Sequence, residues 1–200
     1  MATSWDVLDW RRRVADLYRG VRGHGDPAAA HARWVAGRDD LLRSHTASPV
    51  PAAQRGSYPG AAVAPYDPAY RFVVEVNLDV EPATREIPTG TDGIVPMDRI
   101  GRVTLAGVGD LDLWWLGSYG GGLFLPVRDP SETSYGGGRY LLDTIKGADL
   151  GGGPTDLVID LNFCYQPSCA YDEAWACPLA GPTNTLEAAI PAGEHYRPLA

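Results

Sequence analysis

The chain has 200 residues, 44% hydrophobic and 21% charged, a balance typical of folded globular proteins rather than disordered ones. Its formal net charge of -8 disfavours binding to nucleic acid or to an anionic membrane surface, since both need clustered cations on the protein. The 24 glycines and 17 prolines favour many short strands and turns over long helices.

The first 45 residues are predicted to be helical. Ser4 is a candidate N-cap for a first helix, whose apolar residues recur at helical spacing: Val7, Trp10, Val14 and Leu17. Asp26 followed by Pro27 predicts the start of a second helix, which would run to about Arg43. One side of that helix would carry the residues His31, Trp34, Arg38 and Leu41 or Leu42. We expect the tryptophans to dock both helices on a sheet.

Residues 46–69 are predicted to form an irregular connector, because they are rich in Pro, Ala and Gly and show no period. Residues 70–200 are predicted to be β-rich. From Tyr70 to Val80 apolar and polar residues alternate, which predicts one long strand with a buried face. Further strands are expected at Thr84–Ile87, Arg99–Leu105, Leu111–Leu116, Leu123–Val127, Arg139–Ile145 and Leu157–Phe163.

Glycine-containing turns separate these strands, the first of them at Thr89–Gly93. No helical pattern of ten residues lies between the strands, which argues against a parallel βαβ fold. We therefore predict one domain over residues 1–200 that is mainly β (α+β), with N-terminal helices followed by an antiparallel β-barrel or a strongly bent β-sandwich. Thr185–Ile190 is compatible with a short strand or a helical turn, and the tail from Pro191 is predicted to be irregular.

The glycine run Gly136, Gly137 and Gly138 is compatible with three structures. A phosphate-binding loop would need a following helix, but the residues after Arg139 predict a strand. A tight turn or bulge, where another backbone approaches closely, is a second possibility. In the third, the turn amides and the side chains of Arg128 and Arg139 bind a carboxylate or a phosphate.

The three cysteines, Cys164, Cys169 and Cys177, have the wrong spacing for a structural zinc site, which usually shows two short gaps. We expect neither a metal nor a cofactor. A disulfide between Cys169 and Cys177 and the simple packing of buried thiols are both compatible with the sequence. A cysteine nucleophile would need a nearby base, but none of the four histidines has a recognisable relation to a cysteine.

No apolar run approaches the roughly 20 residues of a membrane span, and the first residues lack the charged and apolar regions of a signal peptide. A cytoplasmic location is therefore expected, and reductants there would keep the cysteines as thiols.

Several blocks of sequence resemble the bacterial and archaeal family known as domain of unknown function 1684. They include the Trp10-Arg11 helix, Ser48-Pro49, Asp67–Phe72, Thr133–Leu141, Asp160–Phe163, Cys169–Tyr171, Cys177–Leu179, Asn184 and Ala192–Glu194. The resemblance implies one domain over nearly the whole chain, with helices followed by a β-rich body, and it implies no reaction. The sequence departs from the family pattern at 166–168 and 180–182, and Cys164 lies outside that pattern.

The leading hypothesis is a small-molecule-binding protein, because aromatic and polar residues gather in one stretch of the chain, as they do in pockets. Its ligand-binding residues would be Arg128, Tyr135, Gly136, Gly137, Arg139, Asn162, Cys169, Tyr171 and Cys177. The alternative is an enzyme, a hydrolase or a thiol-dependent one, with its site at the Gly136–Gly138 turn and the Cys169–Cys177 loop. A purely structural or interaction protein is a third possibility.

Overall fold

Two N-terminal helices open the chain in the computed structural model, which describes residues 2–88, 93–117 and 119–199. Helix α1 spans Ser4–Arg22 and helix α2 spans Pro27–Ser44. Thr3, not Ser4, is the N-cap of α1: its hydroxyl accepts the Asp6 N–H, and the Asp6 carboxylate accepts the Thr3 N–H in return. Asp26 caps α2, as its position before Pro27 predicts.

The strands of the described residues are β1 (Ala62–Val63), β2 (Arg71–Glu75), β3 (Thr84–Pro88), β4 (Ile94–Leu105), β5 (Gly109–Leu116), β6 (Gly122–Val127), β7 (Arg139–Asp143), β8 (Asp156–Asp160) and β9 (Glu194–His195). Strands β3 to β7 form an antiparallel sheet in sequential order, and β2 pairs with β8 and β1 with β9, both antiparallel. The prediction of a mainly β, α+β protein with helices first is confirmed. None of these three sheets closes into a barrel within the described residues.

The long strand predicted from Tyr70 to Val80 is wrong in its length, because β2 ends at Glu75. Its partner β8 begins at Asp156, and beyond that point Asn77 bridges instead to Arg102 of β4. The apolar residues of the alternating pattern still face the core one position past the strand, because Val76 packs there as Val74 does. Leu78, the next apolar residue of the pattern, is exposed. A period of two thus marked the buried face but not the hydrogen-bonded partner.

The predicted ends of the chain also need correction. The strand expected at Leu157–Phe163 stops at Asp160 and passes into a 3-10 turn over Leu161–Phe163. The connector and the tail, both predicted to be irregular, pair with each other through β1 and β9. The turn predicted at Thr89–Gly93 lies largely outside the described residues.

The main hydrophobic core joins the helices to the sheets. Tyr18 of α1 and Trp34 of α2 are buried against residues of β4 to β8, among them Leu113 and Leu141. A smaller cluster, which includes Trp114 and Tyr140, lies on the other side of the five-stranded sheet. Within the described parts of the chain, no helix combines the length and apolarity needed to cross a membrane.

Candidate functional site

The glycine run forms a tight turn that leads into β7. The Gly138 N–H donates to the Tyr135 carbonyl at 2.8 Å, and Gly138 has a φ of +88°. A side chain at Gly138 would also meet the Val127 carbonyl oxygen at 2.9 Å, so both the conformation and the close backbone contact require glycine. A tight turn followed directly by a strand matches the second of the three alternatives, a tight turn where another backbone approaches closely.

Arg139 lies at the start of β7 and is completely buried. Its Nη2 donates to Asp129 Oδ2 at 2.8 Å and to the Ile190 carbonyl at 3.1 Å, and its Nη1 donates to the Ala192 carbonyl at 2.6 Å. Arg128, by contrast, directly follows the end of β6 and is exposed. The two arginines therefore do not face a common anion site, and Arg139 ties the C-terminal segment to the sheet.

Asn162 is buried in another cluster. Its side-chain amide donates to the Asp67 carbonyl and to Asp160 Oδ1, and its side-chain oxygen accepts the Asp67 N–H at 2.8 Å. These bonds join the 3-10 turn after β8 to the segment before β2. The amide is thus fully used inside the protein.

Tyr135, Cys169 and Cys177 do come together. The Tyr135 hydroxyl donates to Cys169 Sγ at 3.8 Å, and the Cys169 backbone N–H donates to Cys177 Sγ at 3.4 Å. Both cysteines are free thiols and half-buried, whereas Cys164 is fully buried. A hydrogen bond from the Cys169 thiol, opposed by burial and aided by the Cys169 N–H and Lys146, lowers the pKa of Cys177 to about 6.

Tyr171 belongs to a network centred on the buried carboxylate of Glu194. The Tyr171 hydroxyl donates to Glu194 Oε1, and Arg38 Nη2 lies 2.8 Å from Glu194 Oε2. The same Oε2 accepts the Gln166 backbone N–H at 3.1 Å. Burial, reinforced by the negative charge of Glu194, raises the pKa of Tyr171 far above its ordinary value, so it stays a hydrogen-bond donor.

This network forms one wall of a cavity of about 70 Å³ between the helices, β7 and the 165–168 segment. The lining includes Trp10, Tyr18, Trp34, Arg38, Tyr140, Lys146, Tyr165 and Gln166. A single water needs roughly 10–15 Å³ in this measure, and a cavity of about 150 Å³ takes benzene. The space is therefore large enough for several waters or for a compact ligand.

Two buried polar atoms at this cavity have no hydrogen-bond acceptor or donor among the described residues. The Tyr18 hydroxyl is near the Trp34 indole, but an indole N–H only donates, so the tyrosine proton has no acceptor. Gln166 Oε1 accepts no hydrogen bond, although its amide nitrogen donates to the Glu194 carbonyl at 3.2 Å. Buried polar atoms are paired in the great majority of cases, so an unpaired donor and an unpaired acceptor at one cavity call for an explanation.

Two cations border the cavity, and each already has a carboxylate partner. Arg38 pairs with Glu194 and stacks over the Tyr165 ring at 4.9 Å, and the Lys146 ammonium lies 3.2 Å from Asp143 Oδ2. The Asp143 charge raises the pKa of Lys146. The cavity wall is therefore polar but close to neutral in charge.

A wider cleft of about 470 Å³ lies between the end of α1, the start of α2 and the β2–β8 pair. Its charged groups are engaged with other protein groups: Asp160 accepts from Asn162 and Tyr66, and Arg22 pairs with Asp149. This cleft is larger, but none of its lining residues among those described has a buried polar atom without a hydrogen-bond partner. We therefore take the smaller cavity as the candidate site.

The described parts of the chain contain no cluster of metal-ligating side chains, and their histidines bond to other protein groups. No group of three or more His, Cys, Asp or Glu side chains is placed there to hold a metal ion. The four histidine rings contact the Asp26, Asn162 and Pro191 carbonyls and the Asp9 carboxylate.

The sequence prediction thus named one partner of the candidate site, Tyr171, and missed the others. Arg38 had a visible signal, a charged residue on the otherwise apolar side of a helix. Glu194 had another, because it closes a family-marking block. Tyr18 and Gln166 had none, because an unpaired polar atom exists only once the surrounding side chains are in place.

The comparisons with known proteins agree with this fold. A family model described as "Protein of unknown function (DUF1684)" matches residues 56–195, a range that includes Lys146, Gln166, Tyr171 and Glu194 but neither helix. The solution NMR structure of an uncharacterized protein of Haloarcula marismortui is similar, with a TM-score of 0.56 and 30% sequence identity. That match covers 80% of this chain and 89% of the other. No curated protein matches the chain.

Proposed function

The chain belongs to the DUF1684 family of proteins of unknown function, and from the geometry of its cavity we propose that it binds a small, neutral, polar molecule. The observation that carries this proposal is the pair of orphaned atoms at one cavity, the Tyr18 hydroxyl proton and Gln166 Oε1. A buried polar group without a partner costs about 1–3 kcal/mol of stability. A ligand that supplies both partners would recover that cost.

The chemistry of the walls indicates the class of ligand. Its acceptor would take the Tyr18 proton, and its donor would bond to Gln166 Oε1. Trp10, Trp34, Tyr140 and Tyr165 supply flat apolar surface beside these groups, which is the usual composition of a small-molecule pocket. Because both Arg38 and Lys146 are already neutralised by carboxylates, the site favours an uncharged amide, urea or alcohol over an anion.

Tyr171 acts in this proposal through Glu194, which it holds against Arg38. The other residues of the predicted pocket serve different clusters. Arg139 and Asn162 bond internal groups, and Tyr135 contacts the cysteine pair.

The test is a thermal-shift screen with neutral amides, ureas and alcohols of up to about four non-hydrogen atoms, because the cavity has roughly half the volume that takes benzene. At tenfold excess over its Kd a ligand adds about 1.4 kcal/mol, which raises the Tm of a protein of this size by about 3–5 °C. The double variant Tyr18→Phe/Gln166→Leu should lose this shift. Tyr119→Phe, whose side chain is fully exposed, is the matched control and should keep it.

Binding should also change the fluorescence of Trp10 and Trp34, which line the cavity. The proposal fails if no compound shifts the parent at about 10 mM, which is tenfold above a weak Kd of about 1 mM. It also fails if the double variant responds as the parent does, because binding would then not involve the orphaned atoms.

A further inference from the structure

The two half-buried cysteines lie outside the candidate cavity and form a second chemical centre. The segment from Ser168 to Ala170 is a 3-10 turn, and the seven residues between Cys169 and Cys177 fold back on it. This return places Cys177 Sγ 3.4 Å from the backbone nitrogen of Cys169 and within hydrogen-bond reach of the Cys169 thiol, and both cysteines are free.

The surroundings of the two sulfurs are not equivalent. Cys177 Sγ accepts hydrogen bonds from the Cys169 N–H and thiol, and it faces the Lys146 ammonium and the Tyr140 hydroxyl. Cys169 Sγ accepts the Tyr135 hydroxyl and gives its own proton to Cys177. The same bond and burial raise the pKa of Cys169, and the pKa of Cys177 is about 6.

The third cysteine is an internal reference. Cys164 is completely buried, and burial raises its pKa to about 12. A thiol of this kind is inert, because the thiolate is the nucleophile and the surrounding protein blocks access. The chain therefore contains one half-buried cysteine with a lowered pKa and a second thiol beside it, and one fully buried thiol that should not react.

We propose that Cys177 and Cys169 are a peroxide-reactive pair, in which the Cys177 thiolate is oxidised first and Cys169 then closes a disulfide. The Cys177 sulfur attacks one oxygen of hydrogen peroxide, the O–O bond breaks, and hydroxide leaves with a proton as water. The Cys169 sulfur then attacks the sulfenic sulfur of Cys177, and the hydroxyl leaves as a second water. Two thiols and one peroxide give one disulfide and two waters, and two electrons pass from sulfur to peroxide.

This proposal goes beyond ligand binding and does not depend on it. Tyr140 and Lys146 line the cavity and also face Cys177, so the two centres share a wall. The cysteine chemistry needs no ligand in that cavity, and a protein without any ligand would still show it.

The test treats the reduced full-length protein with a few equivalents of hydrogen peroxide, blocks the remaining thiols with iodoacetamide and digests it with chymotrypsin without reductant. Cleavage after Tyr165, Tyr171 and Trp175 puts the three cysteines on different peptides. Mass spectrometry should then find a cross-link between Cys169 and Cys177 and an alkylation-resistant, unoxidised Cys164. A Cys169→Ser variant should instead accumulate sulfenic acid at Cys177, trapped by dimedone.

Reaction rates separate a reactive pair from two cysteines that are merely close. At pH 7 iodoacetamide should modify Cys177 about tenfold faster than Cys169, because the thiolate fraction outweighs the lower nucleophilicity of a low-pKa sulfur. The rate at Cys177 should fall as the pH drops through about 6. Lys146→Gln removes the cation that faces Cys177, together with its link to Asp143, and should move this midpoint upward.

The proposal is overturned if peroxide gives no Cys169–Cys177 disulfide, or if Cys164 is oxidised as fast as Cys177. A Cys177→Ser variant in which Cys169 still forms sulfenic acid at the parent's rate would reverse the assigned roles and would also overturn it.

Discussion

Two buried arginine–carboxylate pairs show how the same chemistry supports scaffolding in one place and a candidate site in another. Arg139 and Asp129 have no exposed side-chain surface, and three further protein donors, from Ser131, Ser134 and Ile190, bond the carboxylate. The Arg38 side chain keeps 12% exposure beside Glu194 and borders the cavity with the orphaned atoms. An enclosed pair whose carboxylate is saturated contributes rigidity, whereas a pair that faces open space can also position other groups.

The largest expected effect comes from breaking the enclosed pair. Asp129→Ala would leave the Arg139 charge buried without compensation, which costs about 3–5 kcal/mol in the free energy of unfolding. Urea unfolding followed by circular dichroism measures this. Asp16→Ala is the control, because the Asp16–Arg19 pair is exposed and should contribute less than about 1 kcal/mol. A loss below about 1 kcal/mol for Asp129→Ala would contradict the scaffolding role.

The cavity pair should be less sensitive to an equivalent change. Glu194→Gln and Asp129→Asn both replace a carboxylate by an amide of the same shape. Arg38 would keep the Tyr171 hydroxyl and the Tyr165 ring, so Glu194→Gln should cost about 1–2 kcal/mol, less than Asp129→Asn. Parallel urea titrations of the two variants decide the order. If Glu194→Gln is the more damaging, the distinction between the pairs is wrong.

The same Tyr-to-Phe substitution should change the free energy of unfolding differently at Tyr140 and at Tyr18. Tyr140 donates to the Pro178 carbonyl at 2.6 Å, so Tyr140→Phe should lower the unfolding free energy by about 1 kcal/mol. Tyr18→Phe removes a proton that has no acceptor, so it should leave stability unchanged or raise it. Thermal and urea unfolding in ligand-free buffer test the pair. Equal losses would show that the Tyr18 hydroxyl is bonded in solution.

The smallest expected effect is a pH dependence. His31 is buried beside Trp34, and burial lowers its pKa below the ordinary 6.5. The unfolded chain therefore binds the proton more readily, so stability should fall as the pH drops below about 6.5 and continue to fall to the lower folded pKa. His31→Gln should reduce this slope between pH 7 and 5. An unchanged slope would mean that other groups carry the acid sensitivity.

The sequence predicted local structure better than pairing. Asp26 before Pro27 marked the start of α2, and the predicted bounds of β3, β5, β6 and β7 lie within about two residues of those observed, because capping and turn conformations depend on neighbouring residues. Strand β4, predicted from Arg99, begins earlier, at Ile94. The partners of strands were harder to predict. The Tyr70–Val80 alternation predicted one long strand, yet β2 ends opposite the first residue of its partner β8, which lies about 80 residues away in sequence.

The family-marking residues were visible in the sequence, but their roles were not. Arg139 and Asn162 look like ligand-binding residues because arginine and asparagine are common in pockets. Their bonds to Asp129 and Asp67 are made by segments that only the fold brings together. Tyr171 was predicted as a ligand-binding residue, and in the structure its hydroxyl accepts a hydrogen bond from Arg38, which comes from 133 residues earlier.

The sequence by itself determined a mainly β, α+β protein of this family, with N-terminal helices and glycine turns. Those features depend on residue type and local spacing. The tertiary structure decided which polar groups are satisfied: the Arg139 Nη groups and the Asn162 amide find internal partners, whereas the Tyr18 hydroxyl and Gln166 Oε1 do not. Hydrogen-bond satisfaction depends on atoms that lie far apart in the chain, and it is this property that distinguishes scaffold from candidate site.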